Sequence, residues 1–287
     1  MRIPVLLMVA AGLGAGMGAA PLAAEVRVVA DIGLKGSEAA RHDAEADVIF
    51  VSNLGERGPG NDGYISRLGP DGQVLALKWV EGGRNGVTLV DPLGVFVQGD
   101  IVYVADTSTV RRFDRKTGAP RGDTAVPGAV RLNDLSVDAK GEILVTDSGS
   151  DDRAGAIYRI DPAGKVSEFA ARDAALERPN GIAHMPDGSI VHGGRGVNLV
   201  FRGRDGKILR EVTLPTGRMD GIIPLADGTL LVASQDGHGV YRVPPGGKAE
   251  MVAKDIPIPA AIGLDTKRNR LIIPQIVAAT LTFVDLP

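Results

Sequence analysis

Three stretches of the chain set a carboxylate or an amide eight residues ahead of a turn glycine: Asn133 before Gly141, Asn180 before Gly188 and Asp220 before Gly228. Each stretch is an apolar run, a turn such as Pro186-Asp187-Gly188, and a second apolar run, the pattern of a β-hairpin. Equal offsets within a repeat mean equivalent positions in space, related by the repeat's rotation. The three side chains are therefore expected to converge on one axis, and Glu38, which opens the first strand of the first unit, joins them. Two carboxylates and two amides offer oxygen alone, which suits a hard divalent cation. Ca²⁺ is the expected ion, with Mg²⁺, Mn²⁺ and Zn²⁺ as alternatives. Taken singly, an Asn or Asp beside Gly serves a turn by bonding its own backbone; four at one repeat position favour a site.

Such convergence needs a closed ring of hairpins, and the rest of the chain supplies the units. The first has strands at Val48–Asn53, Tyr64–Leu68 and Val74–Leu77 after the segment Ser37–Asp43. The second runs from Asp91 through Ile101–Asp106 and Val110–Asp114. Units three to five open on the repeated stretches, and their third strands each pair an aromatic with an arginine: Tyr158-Arg159, Phe201-Arg202 and Tyr241-Arg242. The sixth unit is one strand short, and the orphan strand at Val26–Val29 is expected to complete it. Closure of this kind removes an open sheet edge. The fold class is thus all-β, a six-bladed β-propeller of four-stranded blades, with the N-terminal strand completing the last blade.

In a propeller the first strand of each blade lines the channel. The second strands return antiparallel to the same mouth and end on Asn53, Asp106, Asp147 and Gln235. Polar strand ends ordinarily meet solvent; Asp106 and Asp147 are expected to add to a substrate rim. His184 alternates with apolar neighbours and reads as channel packing, while His192 points to the rim. His42 and His238 have no evident role.

Residues 1–24 read as a secretory signal peptide: Arg2, a short apolar core from Ile3 to Ala10, then Gly/Ala-rich sequence with a cleavage point at Ala24-Glu25. The propeller is then residues 25–287, exported to the periplasm or secreted, with no membrane association once the leader is gone. The formal net charge of -3 argues against nucleic acid and anionic membrane surfaces. With no cysteine, disulfides and thiolate metal sites are excluded, and stability must come from a buried core.

The segments Ser37-Glu38-Ala39-Ala40-Arg41-His42-Asp43, Arg131-Leu132-Asn133-Asp134, Arg178-Pro179-Asn180-Gly181 and Arg218-Met219-Asp220-Gly221 resemble the senescence marker protein/gluconolactonase/luciferin-regenerating enzyme (regucalcin-like) family of six-bladed propellers. The resemblance implies that Glu38, Asn180 and Asp220 are metal ligands. It implies that Asn133 meets metal-bound water or substrate and that Arg131 contacts substrate. Two segments differ: the family's Glu-Gly-Pro opening is Glu38-Ala39-Ala40 here, and its Gly-Thr-Met is Val145-Thr146-Asp147.

The expected function is a metal-dependent hydrolase acting on a small-molecule substrate, a lactone or related cyclic ester. Asp220 would take the proton, Asn133 would orient water or substrate, and Arg131 and Asp147 would hold the substrate. The alternative is a non-catalytic propeller that binds a ligand or protein and uses the cation structurally. The sequence leaves the oligomeric state open.

Overall fold

The computed structural model describes residues 26–56 and 60–286. The expected leader, residues 1–24, lies outside them. Among the described residues, no helix is long and apolar enough to cross a membrane.

The strands form six four-stranded antiparallel sheets. Blade one is built from Ser37–Asp43, Val48–Asn53, Tyr64–Leu68 and Val74–Glu81. Blades two to five repeat this order, with inner strands at Pro92–Gln98, Leu132–Val137, Ile182–His184 and Met219–Pro224. Blade six takes three strands from the C-terminal end of the chain and its outermost from Val26–Val29. Val26 pairs with Val284 and Val29 with Leu281, the closure that the orphan strand predicts.

Alternation of apolar side chains along each strand gives every blade two apolar faces, which it buries against its neighbours. Tyr103, Ala105 and Val110 of blade two pack on Leu135, Val145 and Tyr158 of blade three. Val191 and Leu199 of blade four pack in the same way on Ile222 and Val232 of blade five. The core is therefore a ring of inter-blade layers around a central channel.

Two local features set the channel mouth. The inner strands of blades one, two, three and five break register against their second strands, at Ser37/Ala40, Pro92/Val95, Leu132/Leu135 and Met219/Ile222. One extra residue on the inner strand makes each a β-bulge, which takes its residues out of the ladder and re-aims their side chains. Freed backbone groups are met by hydroxyls of the second strand: Ser52 Oγ accepts from Ala39 N–H at 2.9 Å, and Thr146 Oγ1 from Asp134 N–H at 3.0 Å.

The second feature is close approach between inner strands. A Cβ on Gly181 would stand 1.8 Å from the Asp220 carbonyl oxygen, and one on Gly221 would stand 2.3 Å from Ile262 N. Glycine beside Asn180 and Asp220 thus serves inter-blade contact, where the sequence alone also allowed a simple turn. Blade one meets blade six through its Ala39-Ala40 pair. Ala40 N–H donates to Ala261 O at 3.0 Å, and Ala261 N–H donates to Glu38 O at 2.9 Å. A proline at position 40 has no N–H for the first of these bonds, so the departure from Glu-Gly-Pro fastens the ring beside a candidate ligand.

Candidate metal centre at the channel mouth

Glu38, Asn133 and Asp220 lie in the bulges of blades one, three and five, and Asn180 stands two residues before the inner strand of blade four. The register shows which residues are equivalent in the other two blades: Leu93 in blade two and Ala260 in blade six. Four of six equivalent positions therefore carry an oxygen donor, and the remaining two are apolar.

All four donors line one cavity of about 480 Å³, a volume within the usual range for small-molecule sites. Glu38, Asn133 and Asp220 are buried. Each of the four has a buried oxygen with no hydrogen-bond partner among the described residues: Glu38 Oε2, Asn133 Oδ1, Asn180 Oδ1 and Asp220 Oδ1. Buried polar atoms are ordinarily paired, and an unpaired buried oxygen is costly. The atoms on the far side of these groups are held in place. Asn133 Nδ2 donates to Ser148 Oγ at 2.9 Å, and the Ser148 hydroxyl donates to Pro179 O at 2.7 Å. Gln235 Nε2 donates to Asp220 Oδ2 at 2.7 Å. In each case one atom is fixed by the protein and the other is left for the cavity.

The charge balance points the same way. Burial pushes the Glu38 carboxyl well above its ordinary range, with Asp220 and Asp134 adding to the shift and Arg131 and Arg41 opposing it. Burial, then Asp134, pushes Asp220 up to about 7, against hydrogen bonds from Gln235 and Asn180. Asp134 is also raised by burial, and its Oδ2 has no hydrogen-bond partner among the described residues. Three buried carboxyls with so little compensating charge form a site that a divalent cation fits, because it supplies both the charge and the missing contacts to oxygen. Glu38, Asn180 and Asp220 would hold it, with Asn133 beside them.

A second group with metal-binding chemistry lies at the opposite ends of the same inner strands. Ligand atoms of Asp138, Glu142 and His184 lie within 4.8 Å of one another. The carboxylates' capacity is largely taken, while His184 Nε2 has no hydrogen-bond partner among the described residues. Asp138 Oδ1 accepts from Lys140 and Glu142 N–H in its turn, Arg204 Nη2 lies 3.3 Å from Glu142 Oε1, and Ser136 Oγ lies 3.0 Å from His184 Nδ1. Sequence spacing did not join these three residues, since they come from a turn and a neighbouring blade.

The structure corrects the expected rim. Asp147 lines no part of the cavity: it is fully buried and accepts from Val130, Arg131 and Gly149 N–H at 3.1, 2.8 and 3.0 Å, and it pairs with Arg172 at 2.6 Å. Asp106 does the same for Val90 and Asp91 N–H, and Asn53 accepts from Lys35 N–H. These polar strand ends turn inward because the segment leading into each inner strand has no ladder partner for its N–H groups. Asp147 thus positions Arg131 and does not reach a substrate in the cavity. His192 is likewise buried, accepts from Arg202 Nε at 2.9 Å, and is pushed down to about 3 by burial and then Arg202. Arg131 does line the cavity, together with Gln235, which the antiparallel return of the second strands placed at this mouth, and with Arg178, Arg195 and Arg218, which sequence reasoning did not assign to the site. The signal was present for two of them: Arg178 and Arg218 stand two residues before Asn180 and Asp220, as Arg131 stands before Asn133.

A closed six-bladed propeller whose inner strands present oxygen donors at one mouth defines the class. Residues 52–193 match the SMP-30/Gluconolactonase/LRE-like region. That stretch includes Asn133 and Asn180 and ends before Asp220. No curated protein matches the sequence. Among solved structures, a gluconolactonase from Xanthomonas campestris is similar over 92% of this chain and 90% of its own, at 21% identity and TM-score 0.72. Virginiamycin B lyase from Staphylococcus aureus is similar over 92% and 100%, at 16% identity and TM-score 0.61. The Cps50 (Swd1) β-propeller domain, at 11% identity and TM-score 0.61, covers the same shares. Likeness at these identities is likeness of fold.

Proposed function

We propose that the protein is a divalent-cation-dependent hydrolase that opens a lactone or related cyclic ester at the channel mouth, and that it acts after export. The observation that carries this reading is the set of four unpartnered buried oxygens, from four different blades, around one cavity. The match of residues 52–193 to the gluconolactonase-like family region and the likeness in fold to a gluconolactonase support the lactone class.

When bound, a divalent cation supplies electrophilic polarisation of the ester carbonyl. The chain's own residues would do the rest. Gln235 and Asn180 hydrogen-bond Asp220 and fix its orientation. Asp220 would accept a proton from water as the water oxygen bonds to the carbonyl carbon. The ring C–O bond then breaks, and the proton passes to the departing alkoxide oxygen, giving the open hydroxy acid. Asn133, held by Ser148, would orient the water or the carbonyl through its free oxygen and the remaining amide hydrogen. Arg131, fixed at its backbone by Asp147, would hold a polar group of the substrate at the rim. The test is elemental analysis of the purified protein with a lactone panel assayed before and after chelation. A protein that binds a cation in the mouth yet opens no lactone or ester would instead be a ligand-binding propeller.

A further inference from the structure

The mouth carries more positive charge than the opening of one neutral ring requires. Arg131, Arg178 and Arg218 stand two residues before Asn133, Asn180 and Asp220, so blades three, four and five in succession place an arginine just above a donor. Arg195, after the second strand of blade four, lines the same cavity. Arg178 and Arg218 both have left-handed backbones, at φ 56° and 50°. Blade one fills the equivalent position with Gly36, at φ 63°, the residue that adopts this conformation freely. The left-handed turn is therefore architectural, while the choice of arginine there is not.

The partners of these arginines are few. The side chains of Arg131 and Arg195 are exposed and make no hydrogen bond or ion pair among the described residues. Arg178 pairs with Asp151 at 2.7 Å, and Arg218 lies 3.8 Å from Asp236; these aspartates are 92% and 47% exposed, so both pairs are weak and exchangeable. The carboxylates on the cavity wall itself are Glu38, Asp91 and Asp220. Two of them face the cation site, and Asp91 has its carboxyl pushed up by burial against the pull of Arg131. In a chain of net charge -3, four permanently charged guanidinium groups over one cavity form a local positive field. A side chamber of about 320 Å³ shares Asp91, Arg131 and Arg178 with the main cavity and adds Thr107, Gly149, Ser150 and Asp151, the exposed carboxylate that pairs with Arg178. It offers room beyond the ring-opening site, although Gly149 N–H and the Thr107 hydroxyl on its wall already donate, to Asp147 and to Asp106 O.

We infer that the substrate carries an oxyanion, a carboxylate or phosphate, which the arginine arc over blades three to five holds while the ring sits over the oxygen donors. The inference rests on the lactonase reading for the ring but not for the anion. Guanidinium groups suit this role because they bind carboxylate and phosphate through paired N–H donors.

The test compares γ-butyrolactone with paraconic acid, a γ-lactone bearing a carboxylate, on wild type and on the double variant Arg195→Gln/Arg218→Gln. Both side chains are exposed, so the variant is expected to fold, with an unchanged melting temperature as the control. Wild type should favour the charged lactone in kcat/KM by roughly tenfold or more, the scale of one charge-assisted contact. That preference should shrink by a similar factor in the variant and in high salt. A preference for the neutral lactone, or one indifferent to the variant and to salt, would overturn the inference and leave the lactonase reading standing. Calorimetric titration with succinate and with inorganic phosphate covers the case in which neither lactone is opened. Salt-sensitive binding that the variant loses would uphold the anion site without the hydrolase and would tell carboxylate from phosphate. Binding of neither anion, with no charge preference in turnover, would overturn it.

Discussion

The inner strand of blade three, Leu132–Val137, connects two polar clusters that look alike in composition and differ in what their atoms are doing. At its start, Asn133 joins Glu38, Asn180 and Asp220, each with a buried oxygen that no described residue meets. Just past its end, Asp138 joins Glu142 and His184, where turn N–H groups and Arg159 and Arg204 already face the carboxylates. The far cluster has the ligand types of a metal site and its own cations. The mouth has fewer classical ligands and an unmet demand for charge. Four unmet oxygens from four blades mark the mouth, against the single unmet nitrogen of His184 at the far end.

The largest expected effect separates the two ends by packing. Gly181→Ala drives a Cβ onto the Asp220 carbonyl and should destabilise by upwards of about 3 kcal/mol, because backbone is met and cannot yield as a side chain can. Gly188→Ala, at the far turn, has φ +82° but nothing within 4 Å, so only the left-handed penalty of about 1–2 kcal/mol applies. Chemical denaturation of the two variants measures the difference; equal losses would break the comparison.

Turnover comes next. Asp220→Asn should lower cation-saturated turnover roughly 10²-fold, the scale of a lost proton acceptor, while Glu142→Gln should leave it within about twofold of wild type, as expected for a residue outside the site. Steady-state kinetics with the best lactone decides, and a large loss in the Glu142 variant would move the chemistry to the far end.

A smaller effect lies in the sign of the pH dependence. In chelator, Asp220 holds its proton up to about 7, above its unfolded value of 3.8. The stability this contributes is present below pH 3.8 and is lost as pH rises through about 7. Burial raises the Asp138 carboxyl, but the N–H groups of Glu142 and Lys140 together with His184 and Arg204 shift it down on balance, so its contribution is present at neutral pH and lost on acidification. Melting temperatures of wild type and Asp220→Asn in chelator should therefore converge at low pH and diverge toward neutrality, with wild type the less stable. Parallel curves would show that Asp220 has no such shift.

The smallest effect concerns the latch between blades one and six. Ala40→Pro removes the N–H that donates to Ala261 O and should destabilise by about 1–3 kcal/mol, with a fall in cation affinity because Glu38 is two residues away.

Much of this was legible in sequence because a repeat converts spacing into position. The eight-residue offset to a turn glycine was enough to bring Asn133, Asn180 and Asp220 to one cavity, and the orphan strand at Val26–Val29 found its place in blade six. What was not legible depends on groups far apart in the chain. Asp147 reads as a rim residue until the N–H groups of Val130 and Arg131 are seen to need it. The bulges around Glu38 and Asn133 leave no mark on apolar alternation, and the partners of Glu142 come from other strands and turns. Arg178 and Arg218 were in register with Arg131 all along, but a charged residue beside a turn carries no information until a cavity gives it something to face.

The central claim is that the mouth holds one divalent cation and the far cluster none. Calcium titration by isothermal calorimetry of chelated wild type, Glu38→Gln, Asp220→Asn and Glu142→Gln tests it most directly. One site per chain is expected in wild type, weakened roughly tenfold or more by either mouth substitution, each of which removes a ligand charge, and unchanged by Glu142→Gln. Absence of binding in wild type, or binding that survives both mouth substitutions and is lost with Glu142, would contradict the account.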